Sequence, residues 1–343
     1  MSSPYLLNTW YAAGYSEEFR EKPVPRTLLG RELVFYRGES GKLAALEDRC
    51  PHRFAPLHMG KILGEHLRCQ YHGSEFDHSG RCVRNPSDDR PVPAAMKTLS
   101  FPLIERDGVI WVWLGDTPPA AELPAVFSRL VPSGYAVAQG YVRVQGHYQL
   151  VTDNLLDLSH AEFLHSDLGA EGFNRRTKYT VEQDGDVVIA NHLRHDVPIS
   201  RMFKQAWGDG APEQVDHRAL ARWYPPSSVH LEIGVNAVGD SGAGPTTLAM
   251  HLITPETEHV SHYFWRVAYN FHQDDPVFAD RFRGVVQAAF ENEDEPMIAA
   301  QHRKLGGAAF EALRPVLLST DAATVRARRI LQRLLAEQQA AAG

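Results

Sequence analysis

Apolar positions change their spacing partway along the chain. Up to about residue 116 they come in short runs broken by glycine, proline and acidic turns, the pattern of short strands. Residues 31–37 and 43–46 flank the turn segment Gly38-Glu39-Ser40-Gly41 and predict a hairpin. A second turn, His78-Ser79-Gly80, joins residues 75–77 to 81–83. The run 108–114, Gly-Val-Ile-Trp-Val-Trp-Leu, predicts a strand that stops at Gly115-Asp116-Thr117-Pro118-Pro119. The Pro- and Ala-rich stretch 117–125 is the expected domain boundary.

Beyond it, a strand at 141–145 precedes residues 148–163, which lack Gly and Pro and carry apolar residues at helical spacing. Strands return at 178–182, 187–191, 229–238, 246–253 and 261–268, with Gly, Asp and Pro between several of them, as in an antiparallel meander. Two helices are predicted at the end, 276–304 and 322–339. Asp321 is the expected N-cap of the last, and 340–343 a tail that frays. The pattern is α+β with two domains, 1–116 and 117–343. It contains no internal repeat.

Composition narrows the class. The chain is 43% hydrophobic and 22% charged, enough to bury a core without staples. A formal charge of −7 with no block of Lys or Arg argues against nucleic acid as a partner. No apolar stretch approaches the roughly eighteen residues that span a bilayer, so no membrane partner is expected. The first residues have neither a basic nor a long apolar region, so no secretion signal is expected. Three cysteines do not make a disulfide framework, and a reducing, cytoplasmic location is the simplest reading.

Those cysteines carry chemistry instead. Cys50-Pro51-His52 and Cys69-Gln70-Tyr71-His72 form a C-x-H and a C-x-x-H separated by sixteen residues. Two thiolates and two imidazoles suit tetrahedral zinc. They equally suit a Rieske [2Fe–2S] centre, in which two Cys hold one iron and two His the other. C-x-H is not the usual half of a zinc finger. Cys82 has no partner in the pattern and reads as a small buried apolar residue.

A second constellation lies in the predicted helix. Asp157 and His160 are spaced i, i+3 and share a face, and His165 falls just past the helix end. Two imidazoles and a carboxylate are the facial set of non-heme Fe(II) oxygenases. Read alone, the same residues are also a helix with a solvated polar face.

The surroundings of the first constellation, Cys50-Pro-His-Arg53, Cys69-Gln-Tyr-His-Gly73 and Phe76-Asp77, resemble the Rieske family. Respiratory Rieske proteins add a disulfide between the loops, and Ala55 and Tyr71 stand at its positions here. Gln70 replaces a usual Pro and Ser74 a usual large residue. Asp153-Asn-Leu-Leu-Asp157 with His160 and His165 resembles the iron-site pattern of Rieske non-heme iron oxygenases. The likeness runs from Asn8-Thr-Trp-Tyr-Ala12 to the last helix. It is greatest to the short oxygenases that demethylate or oxidise methyl groups on aromatic acids, such as vanillate and dicamba O-demethylases and toluenesulfonate methyl-monooxygenase. Shared segments include Arg53-Phe-Ala-Pro56, Leu252-Ile-Thr-Pro-Glu-Thr257 and His262-Tyr-Phe264.

The resemblance implies an all-β Rieske domain followed by a helix-grip-like antiparallel sheet domain with flanking helices. Cys50, His52, Cys69 and His72 would hold the [2Fe–2S] cluster, and His160, His165 and a late acid the mononuclear Fe(II). That acid is Asp294 by the family pattern, with Glu293 competing in Phe290-Glu-Asn-Glu-Asp-Glu-Pro296. Asp157 would bridge His160 to a cluster histidine, His72, of a neighbouring subunit, its carboxylate accepting from both imidazoles. Asn154 would lie near the iron without binding it tightly. On the substrate side, alternation puts His230, Glu232 and Asn236 on one face of their strand, and His251 interrupts an apolar run on the next. His251, His230 and Asn236 are the expected substrate contacts. Phe163, Phe203 and Trp265 are weaker candidates, since core packing explains them. The implied partners are a small aromatic acid, O2 and a reductase or ferredoxin donor, and the implied assembly is a homotrimer. Oxidation of an aryl methyl ether would yield phenol and formaldehyde. Ring hydroxylation is the rival reaction. A simple electron carrier would not need the 220 or so residues after the cluster motif.

Overall fold

The computed structural model describes residues 3–87, 90–120, 123, 132–242 and 244–342. The chain forms two compact units, residues 7–128 and residues 129–343 with 1–6. Much of the Pro- and Ala-rich stretch 117–125 lies outside the described residues.

The first unit is all β apart from short 3-10 turns. Its strands are β1 (Thr9–Tyr15), β2 (Val24–Leu28), β3 (Arg31–Arg37), β4 (Leu43–Glu47), β5 (Lys61–Leu63), β6 (His66–Arg68), β7 (Glu75–Phe76), β8 (Cys82–Arg84), β9 (Ser100–Phe101), β10 (Leu103–Arg106) and β11 (Val109–Leu114). They form three antiparallel sheets, β1-β11-β10, β2-β3-β4-β9 and β5-β6-β7-β8. The predicted hairpin is β3–β4, closed at Arg37 opposite Leu43. The predicted turn after residue 77 joins β7 to β8. β11 is buried along its whole length, as its unbroken apolar run requires. Cys50, Cys69 and Cys82 share one core with Tyr36, Leu46 and Phe76.

The second unit is built on β12 (Ala136–Val144), β13 (Thr177–Asp184), β14 (Val187–Pro198), β15 (Gln214–Tyr224), β16 (Ser228–Ala237), β17 (Thr246–Pro255) and β18 (Ser261–Tyr269). They make an antiparallel sheet in the order β12-β18-β17-β16-β15-β14-β13. The helices are α1 (Tyr148–Leu156), α2 (Ala161–Leu164), α3 (Phe173–Arg176), α4 (Arg201–Trp207), α5 (Pro276–Ala288), α6 (Glu295–Leu305) and α7 (Ala322–Ala342). α1 lies against β15, β16 and β17, and α5 against β12. The α+β class, with an all-β unit before a helix-flanked antiparallel sheet, matches the expectation. Among the described residues no helix is long and apolar enough to cross a membrane.

Four local expectations fail, each for a physical reason. β15 was not foreseen, because its buried face carries His217 and the small Ala219 and Ala221 while Leu220 stands on the opposite face, which weakens the apolar alternation. The helix foreseen over 148–163 breaks at Asp157, whose backbone is extended (φ −106°, ψ 92°). Asp157 caps the next turn by accepting the Ser159 amide at 2.9 Å, the competition with helix that Asp offers. The helix foreseen over 276–304 is interrupted by a π-helical segment, Ala289–Asp294. Pro296 follows it and has no N–H to give to Asn292, while the Glu295 amide reaches back five residues to Phe290. Finally, Asp321 accepts from the Leu318 amide at 2.6 Å instead of capping α7, and α7 runs on through Ala342 where fraying was expected.

Candidate metal centres

The two cysteine loops are built alike. Cys50 N–H donates to the Ala55 carbonyl and Phe54 N–H to the Cys50 carbonyl, at 2.9 and 2.8 Å. Cys69 N–H donates to Ser74 and Gly73 N–H to Cys69, at 2.8 and 3.0 Å. In each loop the residue four after the cysteine is left-handed, Phe54 at φ 57° and Gly73 at φ 76°. Glycine takes that conformation freely, whereas at Phe54 it costs energy that the closed loop must offset. Asp48 steadies the first loop from beneath, accepting the His58 amide and ring N–H.

These loops bring their four candidate ligands together in two pairs. Both sulfurs are buried and lie against one another. Burial pushes the Cys50 thiol up to about 11, so Cys50 takes negative charge at neutral pH only beside a cation. The His52 and His72 rings are exposed, with centroids 4.6 Å apart. Sulfur inward and imidazole outward fits a two-iron cluster better than one tetrahedral ion. All three cysteines are free, and Cys82 lies in the core.

In the second unit His160, His165 and Asp294 converge. His160 Nε2 lies 3.2 Å from His165 Nε2 and 3.5 Å from Asp294 Oδ1. The third edge, His165 Nε2 to Asp294 Oδ1, is 3.4 Å. Dividing an edge of that length by √3 places the centre about 2 Å from each atom, a metal–ligand distance. The three are the one group of this kind among the described residues.

Neighbouring groups fix each ligand's orientation. His160 Nδ1 donates to the Asp157 backbone carbonyl at 2.6 Å, which turns its Nε2 lone pair inward. Within the chain His160 meets the Asp157 carbonyl and not the expected carboxylate, one oxygen of which, Oδ1, accepts the Ser159 amide. His165 Nδ1 donates to Glu293 Oε2 at 2.6 Å. Asn154 Nδ2 donates to Asp294 Oδ1 at 2.8 Å. Burial lowers the His160 imidazole. For His165 burial is outweighed by Asp294 and Glu293, which raise it.

The π segment decides which acid faces inward. Asp294 is 4% exposed, while the neighbouring Glu293 side chain stays partly solvated and grips His165 from behind. The sequence signal for this phase shift is Pro296, directly after the acidic run.

The triad sits in the wall of a largely apolar cavity of about 110 Å³, the scale of one aromatic ring. Leu231 and Ile233 line it from β16, so the apolar face of that strand points inward. His230 and Asn236, expected at the substrate, do not line it. Asn236 instead accepts from Arg218 at 2.8 Å beside a separate groove. His251 does line the cavity. Its Nδ1 meets the Tyr263 hydroxyl at 2.7 Å, and its buried Nε2 has no partner among the described residues. Burial holds this imidazole down to about 3, hence neutral. Phe203 also lines the cavity, whereas Trp265 is core and donates to Gln287, and Phe163 is exposed. Two lining residues, Arg194 and His217, were not anticipated. Their signal lies in the alternation of β14 and β15, where buried positions recur every second residue.

Known proteins match this arrangement. The Rieske [2Fe-2S] domain model matches residues 9–102, and the vanillate O-demethylase oxygenase C-terminal domain model matches residues 144–337. The oxygenase component of chloroacetanilide N-alkylformylase from Rhizorhabdus wittichii is 38% identical, over 96% of this chain and 95% of that protein. The dicamba O-demethylase oxygenase component from Stenotrophomonas maltophilia is 37% identical, over 96% and 98%. The structure of dicamba monooxygenase bound to 3,6-dichlorosalicylic acid matches with a TM-score of 0.91 at 35% identity, covering 98% of this chain and 99% of that one. The chain therefore belongs to the Rieske non-heme iron oxygenases that carry a vanillate O-demethylase-type C-terminal domain. It is an oxidoreductase of the monooxygenase type, and its cofactors are a Rieske [2Fe–2S] cluster and a mononuclear iron.

Proposed function

We propose, from membership of this family, that the chain is the terminal oxygenase for O2-dependent O-demethylation of a methoxylated aromatic acid such as vanillate. A separate reductase or ferredoxin supplies the electrons. The observation that carries this reading is the cavity, with three metal-ligand side chains in one wall, apolar walls around a ring-sized space and the unpartnered His251 Nε2.

Residues 1–116 serve the cluster and 117–343 the iron. Cys50 and Cys69 would hold one iron of the cluster, His52 and His72 the other. His160, His165 and Asp294 hold the mononuclear iron. When bound, these groups supply electrons and O2 activation. The chain's own part is positional. The Asp157 carbonyl and the Glu293 carboxylate fix the tautomers of His160 and His165, and Asn154 orients Asp294. Leu231, Ile233, Ala249 and Phe290 exclude water around the ring. His251 Nε2 meets an oxygen on the ring, a proton donor there when the Tyr263 hydroxyl donates to Nδ1. The Asp157 carboxylate, free of His160, is available to His72 of the partner subunit in a homotrimer. A cytoplasmic location suits the three free cysteines.

The test is a single turnover of dithionite-reduced holoenzyme with O2 and vanillate. Formaldehyde and the demethylated phenol in equal amounts are expected. A ring-hydroxylated product without formaldehyde would overturn demethylation in favour of ring hydroxylation.

A further inference from the structure

A cavity with apolar walls takes an anion only if a cation stands in the wall, and among the described residues lining this one Arg194 is the sole Arg or Lys. Resting on the reading of the substrate as an aromatic acid, we infer that Arg194, steered by His217, receives the substrate's carboxylate and sets a preference for acids over neutral ethers and amides.

Arg194 lies on β14 and is 4% exposed. Its Nε donates to Thr177 Oγ1 at 2.9 Å and its Nη1 to His217 Nδ1 at 3.0 Å. The guanidinium carbon lies 4.7 Å from the Phe173 ring centroid. None of these partners carries negative charge, and no carboxylate among the described residues lies within ion-pair distance. Glu162 is the acid whose charge favours this cation, but its carboxylate accepts from the Gly172 and Asn174 amides at 2.8 Å each and does not contact the guanidinium, and a buried cation without a contacting counter-ion is costly.

Neighbouring cations behave differently. Arg194 and His217 line both the cavity and a larger open groove beside it. In that groove Arg176 faces Asp196 and Arg218 meets Glu232 at 3.3 Å. Both of these arginines are more exposed than Arg194 and have an acid in contact, whereas Arg194 has none among the described residues. The backbone departs from regular pairing at the same place. The β14–β15 register shifts between Arg194 and Val197, with Asp196 left-handed at φ 53°. Bulges of this kind re-aim side chains beside sites.

His217 makes the arrangement directional. A guanidinium only donates, so His217 Nδ1 accepts and its Nε2 carries the proton. Burial and then the Arg194 charge hold this imidazole neutral. Burial lowers the guanidinium to about 10, which leaves it a cation at neutral pH. His251 is neutral and offers a hydrogen bond without charge, so it does not substitute for Arg194.

The experiment is anaerobic calorimetric titration of the holoenzyme with 3-methoxybenzoate and its neutral isostere 3-methoxybenzamide. Wild type should prefer the acid by at least about tenfold. Arg194→Met should erase that preference by weakening acid binding while amide binding stays within about threefold, which also reports an intact cavity. Arg194→Lys keeps the charge but loses the planar fork, and should recover part of the preference. Equal wild-type affinity for acid and amide, or an unchanged preference in Arg194→Met, would overturn the inference. If Arg194→Met does not fold, the wild-type ratio and the Lys variant decide the matter. Formaldehyde release is independent of this readout. An acid-selective protein that releases none loses the demethylase reading and keeps this one. A formaldehyde-releasing protein that does not discriminate acid from amide loses this one alone.

Discussion

Cys50 and Cys69 each sit in a loop closed by its own backbone within six residues, while His165 and Glu293 meet across 128 residues of chain. The first centre is local twice over. Its candidate ligands lie two and three residues from one another within each loop, and the same turn geometry is built twice, at Phe54 and at Gly73. The second is assembled from a broken helix and a π segment, two departures from regular structure that must occur together for Asp294 to reach His160 and His165. A site made of closed loops depends on ligand spacing. One made of helix irregularities depends on the phase of distant elements.

That contrast can be broken from either side, and the largest effects are all-or-none. Cys69→Ser should abolish the visible bands of the cluster and loosen residues 7–128, because Cys69 is part of that unit's core. His160→Ala should leave those bands intact and bring substrate oxidation to background. Cys69→Ser should lose oxidation as well, because the cluster supplies the electrons, so the deciding outcome is His160→Ala: loss of the cluster bands there would contradict the account.

A smaller effect separates the two acids. Glu293→Gln should weaken iron retention by about 10–100-fold, the usual cost of losing a partner behind a ligand histidine. Chelator titration followed by iron analysis measures it. Loss as complete as that from replacing Asp294 would make Glu293 a ligand and contradict the π-phase account.

A graded effect concerns acid. Burial holds His251 at about 3 and His230 at about 4, and pushes His217 well below the ordinary 6.5. These folded-state values are depressed, so the unfolded chain binds protons first as pH falls. The stability they contribute is present above pH 6.5 and is lost as pH drops towards the folded values, roughly 1.4 kcal/mol per pH unit for each group. Hydrogen exchange at pH 7 and pH 5 should show residues 129–343 losing protection before residues 7–128. Equal loss in both units would refute the assignment.

The same contrast explains what could be read from the sequence. That Cys50, His52, Cys69 and His72 come together was legible because chemistry and spacing lie in one short stretch. His160 and His165 were legible as a motif, but the break at Asp157 was not, although Ser159 two residues on is the amide that its carboxylate captures. Asp294 was named alongside Glu293 because composition shows acids and only helix phase sorts them. Pro296 was the available clue. His230 and Asn236 were misplaced because polarity was taken to mark the working face of β16, whereas the cavity uses its apolar face. Arg194 and His217 stayed hidden because β15 was not recognised, and they face the cavity only once β14 and β15 pair.

The central claim is that two separate iron centres occupy this chain, the second completed by Asp294. Iron analysis with the visible spectrum, on wild type and Asp294→Asn, tests it directly. The account predicts about three irons per chain in wild type and about two in the variant, with the cluster bands unchanged. Zinc in a colourless wild type, or three irons retained in Asp294→Asn, would contradict it.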